Sequence, residues 1–397
     1  MITAIIKSAI PEIIPTIKNK VLPRTPWGFI GLLLVALGGL AIVLRFALGL
    51  GATTNLSNQF PWGLWIAFDF LGIGMSAAGF TIAAAVYVFH AKRFEPLVRP
   101  AVLTATIGYA LVALVLLIDL GRPLHAWHPL LPPLWNHHSV MLEITFCLIL
   151  YNCVLYFEFI PPLLEKIKAN AKWIHVFHKY AFPMVIAGAI LSSLHQSSFG
   201  SLYLAVPNRM SPLWYTPLLP VLFFISCVST GLSMMIFQTL LLARKGIVLI
   251  TDESRDMLAK FVAMTLATYL VVRFLDLSAS GRLELLCQQT LYHRVAFITE
   301  ISVGFALPLL LLLIPKIRRC CCGLYTVTVL VFLGLAANRA NVAITSLEHF
   351  NGNGSYFPSL IEILSTVGVA AIGVTAFVII SRILPILPAP KKDAEVT

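Results

Sequence analysis

The feature that most constrains this chain is a series of apolar runs, each long enough to cross a lipid bilayer as a helix. A membrane-spanning helix needs about 20 mainly apolar residues, and lipid offers no hydrogen-bond partner to an open backbone. Only 11% of the residues are charged, and 59% are hydrophobic. Ten runs qualify, at residues 28–49, 62–89, 101–120, 138–160, 178–199, 214–242, 257–279, 294–316, 321–345 and 357–384. We predict an all-α polytopic membrane protein with ten transmembrane helices.

Lysine and arginine are distributed unevenly between the two sides of these spans. One set of alternate connections, which we call the outer side, holds only Arg122, Arg209, Arg282 and Arg294. Three arginines fall within the spans, and the remaining basic residues flank the spans on the inner side. Because cytoplasmic loops carry most of the positive charge of a membrane protein, both termini are predicted to be cytoplasmic. Topology then explains the net charge of +11, and we predict no nucleic-acid binding.

The connections are short, so residues 28–390 are predicted to form one transmembrane domain. Residues 1–27 precede it as a cytoplasmic segment, in which AIIKSAIPEIIPTIKNK has the composition of a stretch that lies along the membrane surface. Residues 391–397 follow it as a cytoplasmic tail.

Two pairs of acidic residues recur at one spacing in the two halves of the chain. Glu143 follows Asp119 at the same distance along the sequence as Glu300 follows Asp276, and the aspartates lie in the similar stretches LIDL and FLDL. Both pairs occupy the same place in the predicted topology. We therefore predict two four-helix bundles, residues 62–200 and 214–345, with the first and last spans as flanking helices.

Ionisable residues within the predicted spans are concentrated in the outer half of the bilayer. They are Arg45, Asp69, Asp119, Glu143, His195, Arg273, Asp276, Glu300, Arg339 and Glu362. Such groups are costly in lipid and usually mark functional sites inside a bundle. In the second bundle two acids accompany two bases, so Arg273, Asp276, Glu300 and Arg339 are interpreted as a mainly structural salt-bridge network. The first bundle has three acids and His195 but no arginine in its spans, which favours proton-coupled chemistry there.

Several kinds of function are compatible with such a layer. A haem-bearing cytochrome b needs two facing histidine ligands, and His195 has no obvious second histidine at its depth. A proton-coupled transporter would have paired units and midplane carboxylates, but this layer is one-sided. A surface metal site and a docking loop are both compatible with the outer histidines His125, His128, His137 and His138. We predict no metal site, since the seven cysteines also lack ligand spacing.

A quinone site fits the layer best. A quinone exchanges two protons together with two electrons, so its headgroup needs hydrogen-bond donors and a proton relay just inside one membrane face. The candidates for quinone binding and proton relay are His195, Glu143, Asp119 and Asp69. Candidate walls and mouth residues are Phe60, Trp62, Trp65, Gln196 and Ser197. The alternative for His195 is a structural histidine bonded to Glu143. Because the chain has no redox-metal motif, electrons are predicted to come from a partner on the outer face.

Six stretches, taken in order along the chain, resemble a known family. FPWGLWIAFDF, PLVRPA, SVMLEITF, HQSSFGSL, SYFP and ILPILP together are similar to the NrfD/polysulphide reductase membrane subunits. Within that family they most closely resemble the so-called cytochrome b subunit of periplasmic nickel–iron hydrogenases. The resemblance implies a ten-helix subunit without haem or iron–sulfur cluster of its own, set in the cytoplasmic membrane of a bacterium or archaeon.

The resemblance also implies a function. Such a subunit exchanges electrons between menaquinone, or another quinone, and a periplasmic ferredoxin-like iron–sulfur subunit or multihaem cytochrome c that works with a further catalytic subunit. It is the quinone-reacting part of an oxidoreductase and is not catalytic alone. Among matched positions, Glu143 and His195 are the leading quinone or proton-relay candidates. Arg273, Glu300 and Arg339 match polar positions for which proton translocation has been proposed. The stretches FLDLSASGR and ANRANVA depart from the hydrogenase pattern and leave the partner open.

Overall fold

A computed structural model describes residues 26–168, 170–348 and 354–388 of the chain. Ten long helices fill most of these ranges, which contain no β-strand. They are α1 (Pro26–Leu48), α2 (Leu64–Val88), α3 (Lys92–Asp119), α4 (Val140–Lys166), α5 (Ala171–Leu204), α6 (Leu219–Ala243), α7 (Asp252–Ala279), α8 (Leu291–Leu313), α9 (Cys321–Thr345) and α10 (Leu360–Ile383). The prediction of an all-α polytopic membrane protein is confirmed.

Within the described ranges, nine of these helices are long and apolar enough to cross a membrane. The tenth, α5, has 34 residues, which is also long enough to span a bilayer. Each predicted span coincides with one helix, but the number of ten membrane crossings stays a prediction. The predictions for residues 1–25 and 391–397 lie outside the described residues.

Side-chain caps fix where several helices begin. Ser139 caps α4 and Thr290 caps α8, each by accepting a backbone N–H of the first turn. Ser359 and Glu362 form a reciprocal capping box at the start of α10. The first N–H groups of a helix have no partner within the helix, so these side chains stabilise the helix ends. All three caps lie on the side that carries the ionisable residues.

The contacts between helices follow the two halves of the chain. Helices α2 to α5 pack against one another, and α6 to α9 do the same. α1 packs along α10, which also contacts α2 and α3. The two groups touch extensively, because α6 packs against α2 and α5, and α9 packs against α2. The division into two four-helix bundles, residues 62–200 and 214–345, stays a prediction.

Glycine allows two pairs of helices to approach backbone to backbone. A Cβ atom added at Gly38 of α1 would overlap the main chain of Gly368 in α10, and one at Gly334 of α9 would overlap that of Gly304 in α8. Small residues of this kind are a usual means by which membrane helices associate. The second crossing places Asn338, one turn further along α9, beside an acidic residue of α8.

Candidate functional site

His195 of α5 is completely buried. Its ring packs on Tyr109 of α3 and Phe199 of α5, with centroids 5.6 Å and 4.7 Å away. Neither imidazole nitrogen has a hydrogen-bond partner among the described residues; the main chain of Ile144 approaches the ring without hydrogen-bond geometry. The alternative of a structural histidine bonded to Glu143 is therefore wrong. Because a buried polar group without a partner is costly, His195 is available to bind a molecule.

Glu143 lies in the first turn of α4, at the outer end of the helix. The hydroxyl of Ser198 on α5 lies 2.5 Å from its Oε1 atom, and the residue is otherwise exposed. Its side chain lines a cavity of about 400 Å³, together with Trp135, His137, His138, Ser139, Val140, Leu142 and Phe146. Ser198 is one turn from His195 along α5. A carboxylate in the cavity wall therefore lies one helical turn from the buried imidazole.

Asp69 of α2 is fully buried, and neither of its carboxylate oxygens has a hydrogen-bond partner in the described part of the chain. Asp119, the last residue of α3, lies within electrostatic range of it. Arg45 of α1 also approaches Asp119 and donates hydrogen bonds to the carbonyl oxygens of Ile118 (2.7 Å) and Leu120 (2.8 Å). The predicted spans of the first bundle contain no arginine, but α1 supplies one, so Asp119 has a cation nearby that the sequence did not predict.

The three aromatic residues predicted to wall the quinone site lie in two different parts of the structure. Phe60 and Trp62 pack into the core that contains Tyr203 of α5, and Trp62 meets Tyr203 edge to face at 5.0 Å. Trp65 donates its indole N–H to Ser365 of α10 at 3.0 Å. Trp65 therefore packs toward the flanking helix and not toward the cavity beside Glu143.

A row of buried polar groups runs inward from His195 between α3, α4 and α5. The hydroxyl of Tyr109 lies 3.2 Å from that of Ser192, and Tyr151 of α4 approaches the same serine. Gln196, predicted as a mouth residue, is buried in this row and reaches Tyr109 at 3.5 Å. Ser197, in contrast, is half-buried outside it. Tyr109 and Tyr151 were not predicted as site residues, because single tyrosines in apolar helices are usually packing residues.

An inner cavity of about 110 Å³ lies at the other end of this row. It is lined by Glu158 of α4 with Tyr87 and Arg99, and Glu158 is within electrostatic range of Tyr151. Arg99 closes its rim, bonding Glu165 at 2.7 Å and the carbonyl of Pro385 at 2.8 Å. Glu158, near the inner end of the predicted span 138–160, is an exception to the concentration of ionisable groups in the outer half. The stretches PLVRPA and ILPILP meet at this rim.

The polar groups of α7 to α9 form a cluster that is only partly made of salt bridges. Arg273 pairs with Asp276 at 3.3 Å, one turn away on α7. Glu300 and Arg339 make no direct ion pair within the described residues. Instead Asn338 connects them, since its amide donates to Glu300 at 2.7 Å and accepts from Arg339 at 2.5 Å. The four predicted residues thus share one ion pair and one asparagine bridge, and Asp276 makes a second ion pair with Arg282 at 3.9 Å.

Three donors hold the buried carboxylate of Glu300. They are Asn338 (2.7 Å), Asn341 (2.7 Å) and the indole of Trp214 (2.9 Å). Both helices adopt π-helical turns here, Glu300–Ala306 in α8 and Asn341–Thr345 in α9. Such turns re-aim side chains and recur at functional sites. The two asparagines were not predicted as site residues, although ANRANVA places both within one turn of Arg339.

The described residues offer no group of three or more His, Cys, Asp or Glu side chains that could hold a metal ion. His293 of α8 is also buried, and both of its ring nitrogens are engaged. Nδ1 lies 3.0 Å from the hydroxyl of Thr290, and Nε2 contacts the carbonyl oxygens of Thr345 and Glu348. A bis-histidine haem needs two facing imidazoles with free nitrogens, and this donor set does not fit one.

Comparison with known proteins gives consistent matches over most of the chain. Residues 52–351 match the model of the family described as polysulphide reductase, NrfD. The probable Ni/Fe-hydrogenase 2 b-type cytochrome subunit of Escherichia coli (strain K12) is 33% identical over 367 residues, covering 91% of this chain and 92% of that protein. The menaquinone reductase integral membrane subunit of Nitratidesulfovibrio vulgaris is 28% identical over 367 residues, 86% of each chain. A selenate reductase subunit of Mesobacillus selenatarsenatis is 25% identical over 405 residues, 89% of this chain and 92% of that protein.

Proposed function

This chain belongs to the NrfD family of polysulphide reductase proteins, and on that premise we propose that it is the quinone-interacting integral subunit of a respiratory oxidoreductase. Relatives over most of its length are named as subunits of reductases, so the chain is a multi-pass subunit of such a complex. Its proposed task is to exchange electrons between menaquinone, or another quinone, and the other subunits. It has no catalytic activity without them.

The observation that carries this proposal is the outer cavity beside a buried imidazole. Its volume of about 400 Å³ is within the usual range of ligand pockets. Trp135 and Phe146 meet edge to face with centroids 4.8 Å apart and give the cavity an apolar wall. Its polar side chains are those of Glu143, Ser139, His137 and His138. A quinone headgroup has apolar faces and two carbonyl acceptors, which this lining complements.

The ionisable groups around the cavity support the proton side of the reaction. Oxidation of a quinol releases two protons with two electrons, and a positioned carboxylate or imidazole accepts a proton. Glu143 lies in the cavity wall. Ser198, which bonds Glu143, is one helical turn from His195 along α5. Asp69 lies in α2 and Asp119 at the outer end of α3. We propose that these two carboxylates pass the released protons to the outer side.

Turnover with a quinol analogue in the purified complex tests this proposal. Glu143→Gln keeps the side-chain volume but removes the proton acceptor, and should lower quinol-dependent electron transfer by about 100-fold. His195→Ala should release bound quinone from the extracted complex. The matched control is Glu284→Gln, an exposed acid on the same outer side, which should be neutral. Normal turnover in the Glu143 and His195 variants would contradict the proposal that the outer cavity is a quinone site.

We place the electron partner on the outer face, because the cavity is formed by the outer end of α4 and the connection that precedes it. The proposed partner is a periplasmic ferredoxin-like iron–sulfur subunit or a multihaem cytochrome c, with both termini of this chain in the cytoplasm of a bacterium or archaeon. A relative carries the name b-type cytochrome, yet we propose that this chain holds no haem, since the nitrogens of His293 are engaged. A Soret band with one haem per chain in the purified subunit would refute this.

Proton uptake from the inner side is a second part of the proposal, and the row of buried hydroxyls supports it. Glu158 lines the inner cavity, and Tyr151, Ser192 and Tyr109 lead from it toward His195. A chain of hydroxyls can pass protons between hydrogen-bonded neighbours. Quinone reduction at the outer cavity would then draw its protons from the cytoplasm and contribute to proton translocation.

Proteoliposomes with a trapped pH indicator test this path. Glu158→Gln and Tyr151→Phe should each reduce inner-side proton uptake per quinone reduced, because each interrupts the row. Glu95→Gln, an exposed acid on the inner side, is the control and should leave uptake unchanged. Equal proton uptake in all three variants would mean that the row of hydroxyls only packs the helices together and does not pass protons.

A further inference from the structure

Tyr356, in the SYFP stretch between α9 and α10, joins parts of the molecule that are far apart in sequence. The residue is 6% exposed, and its ring stacks on Phe60 with centroids 6.1 Å apart. The stretch is one of the six that carry the family resemblance, and neither the proposed cavity nor the inner row of hydroxyls includes it.

The hydroxyl of Tyr356 lies between the start of α2 and the start of α10. It donates to Oε1 of Glu362 at 2.5 Å and accepts the backbone N–H of Leu64, the first residue of α2, at 3.1 Å. Glu362 also accepts the N–H groups of Asn55 (3.0 Å) and Ser359 (2.8 Å). Burial and the Glu362 carboxylate raise the pKa of Tyr356, so the hydroxyl stays protonated and can donate at physiological pH.

The main chain of Tyr356 connects to the second half of the molecule. Its N–H donates to Oε1 of Glu348 at 2.9 Å, and the hydroxyl of Tyr292 also donates to that carboxylate. The carbonyl oxygen of Glu348 lies 2.9 Å from Nε2 of His293. Tyr356 therefore bonds two buried carboxylates, Glu348 beyond the end of α9 through its backbone and Glu362 of α10 through its hydroxyl.

The start of α2 is fitted closely around this tyrosine. A Cβ atom at Gly63, the residue before α2, would overlap the phenol oxygen of Tyr356. Further along α2, Phe70 packs on Phe199 at 4.6 Å, and Phe199 packs on His195 at 4.7 Å. A displacement of the start of α2 would therefore change the packing of His195, because two aromatic contacts connect the helix to the imidazole.

We infer that Tyr356 is a positioning residue for the proposed quinone site: its hydroxyl fixes the start of α2 against α10, and α2 in turn fixes the aromatic packing around His195. Tyr356 acts through α2 and does not touch the cavity lining. The inference rests on the proposed function, because the positioned imidazole is assigned there to quinone binding.

Steady-state kinetics with a quinol analogue, expressed per assembled complex, test the inference. Tyr356→Phe keeps the ring on Phe60 but removes the hydroxyl, and should raise KM about five- to tenfold with kcat changed less than about twofold. Leu64→Pro removes the N–H donor of the same bond at the first helical position, where proline is tolerated. It should give the same KM increase, and the double variant should be no worse than either single one.

Tyr156→Phe, in an exposed position on α4, is the control and should behave as wild type. A KM unchanged in both Tyr356→Phe and Leu64→Pro, or additive effects in the double variant, would overturn the positioning role while leaving the quinone site intact. A wild-type complex that does not react with quinol would overturn the proposed function and this role together. Hydrogen exchange of residues 60–70 gives a separate readout and should increase in Tyr356→Phe.

Discussion

Buried carboxylates and imidazoles differ in their hydrogen bonding, because some have several partners and others have none among the described residues. Glu300 and Glu362 each accept three donors among the described residues. His195 and Asp69 have no partner there. A fully hydrogen-bonded buried carboxylate stabilises one arrangement of its neighbours, whereas an unpartnered one is costly unless it takes a proton or a ligand. The second group is therefore where we expect chemistry.

Replacing Asn338 by leucine should destabilise the protein through two charged groups at once. Glu300 would lose one donor and Arg339 one acceptor, which costs on the order of 2 kcal/mol in the free energy of unfolding. Unfolding of the detergent-solubilised chain by denaturant measures this. Asn152→Leu is the matched control, since the amide of Asn152 donates only to a carbonyl of its own helix and its loss should cost less. Equal costs would mean that Asn338 is not a bridge.

At the scale of helices, close crossings at glycine determine which helices lie side by side. α1 and α10 meet at Gly38 and Gly368, and α8 and α9 meet at Gly304 and Gly334. The α1–α10 pair lies outside both groups of four helices and brings Arg45 to the end of α3. Helix packing therefore supplies the site with a cation from a segment that is distant in sequence.

Gly38→Val should weaken the pairing of α1 with α10, whereas Gly39→Val should not. A side chain at position 38 would overlap the backbone of Gly368, and no rotamer relieves an overlap with Cβ; at position 39 nothing lies within 4 Å of an added Cβ. Overpacking of this kind costs about 1–3 kcal/mol or more. The amount of assembled complex in membranes and its thermal stability are the measurements. Two variants of equal stability would show that the glycine crossing does not hold the pair together.

At the scale of the whole molecule, the outer and inner sides have different polar structures. The outer side holds the wide cavity at Glu143 and the clusters around Asp119, Glu300 and Glu362. On the inner side, a small cavity at Glu158 lies behind Arg99. This asymmetry suits a protein that meets its electron partner on one side and takes protons from the other.

Labelling of the native cysteines tests the predicted orientation. Cys287 is exposed in the connection between α7 and α8, on the outer side, and Cys320 is exposed just before α9, on the inner side. The backbone N–H groups of Gly323 and Cys322 lower the pKa of Cys320, so its thiol should react at lower pH than an ordinary cysteine. In intact cells, a membrane-impermeant maleimide should label a variant that keeps only Cys287 and spare one that keeps only Cys320.

Lysed membranes should label both single-cysteine variants, which controls for reactivity. Labelling of Cys320 in intact cells, with Cys287 protected, would mean that the chain is inserted in the opposite orientation. It would also place the proposed quinone cavity on the cytoplasmic side.

The sequence by itself determined the helices, because hydropathy is a local property and a membrane imposes helical structure on a long apolar run. The predicted span 214–242, for instance, is the helix Leu219–Ala243. Only the tertiary structure decided which polar groups meet. His195 is separated from the carboxylate of Glu143 because Ser198 takes that contact, and Arg45 reaches Asp119 because α1 packs beside α3. Hydrogen-bond partners depend on helix rotation and crossing, which residue spacing along one helix does not specify.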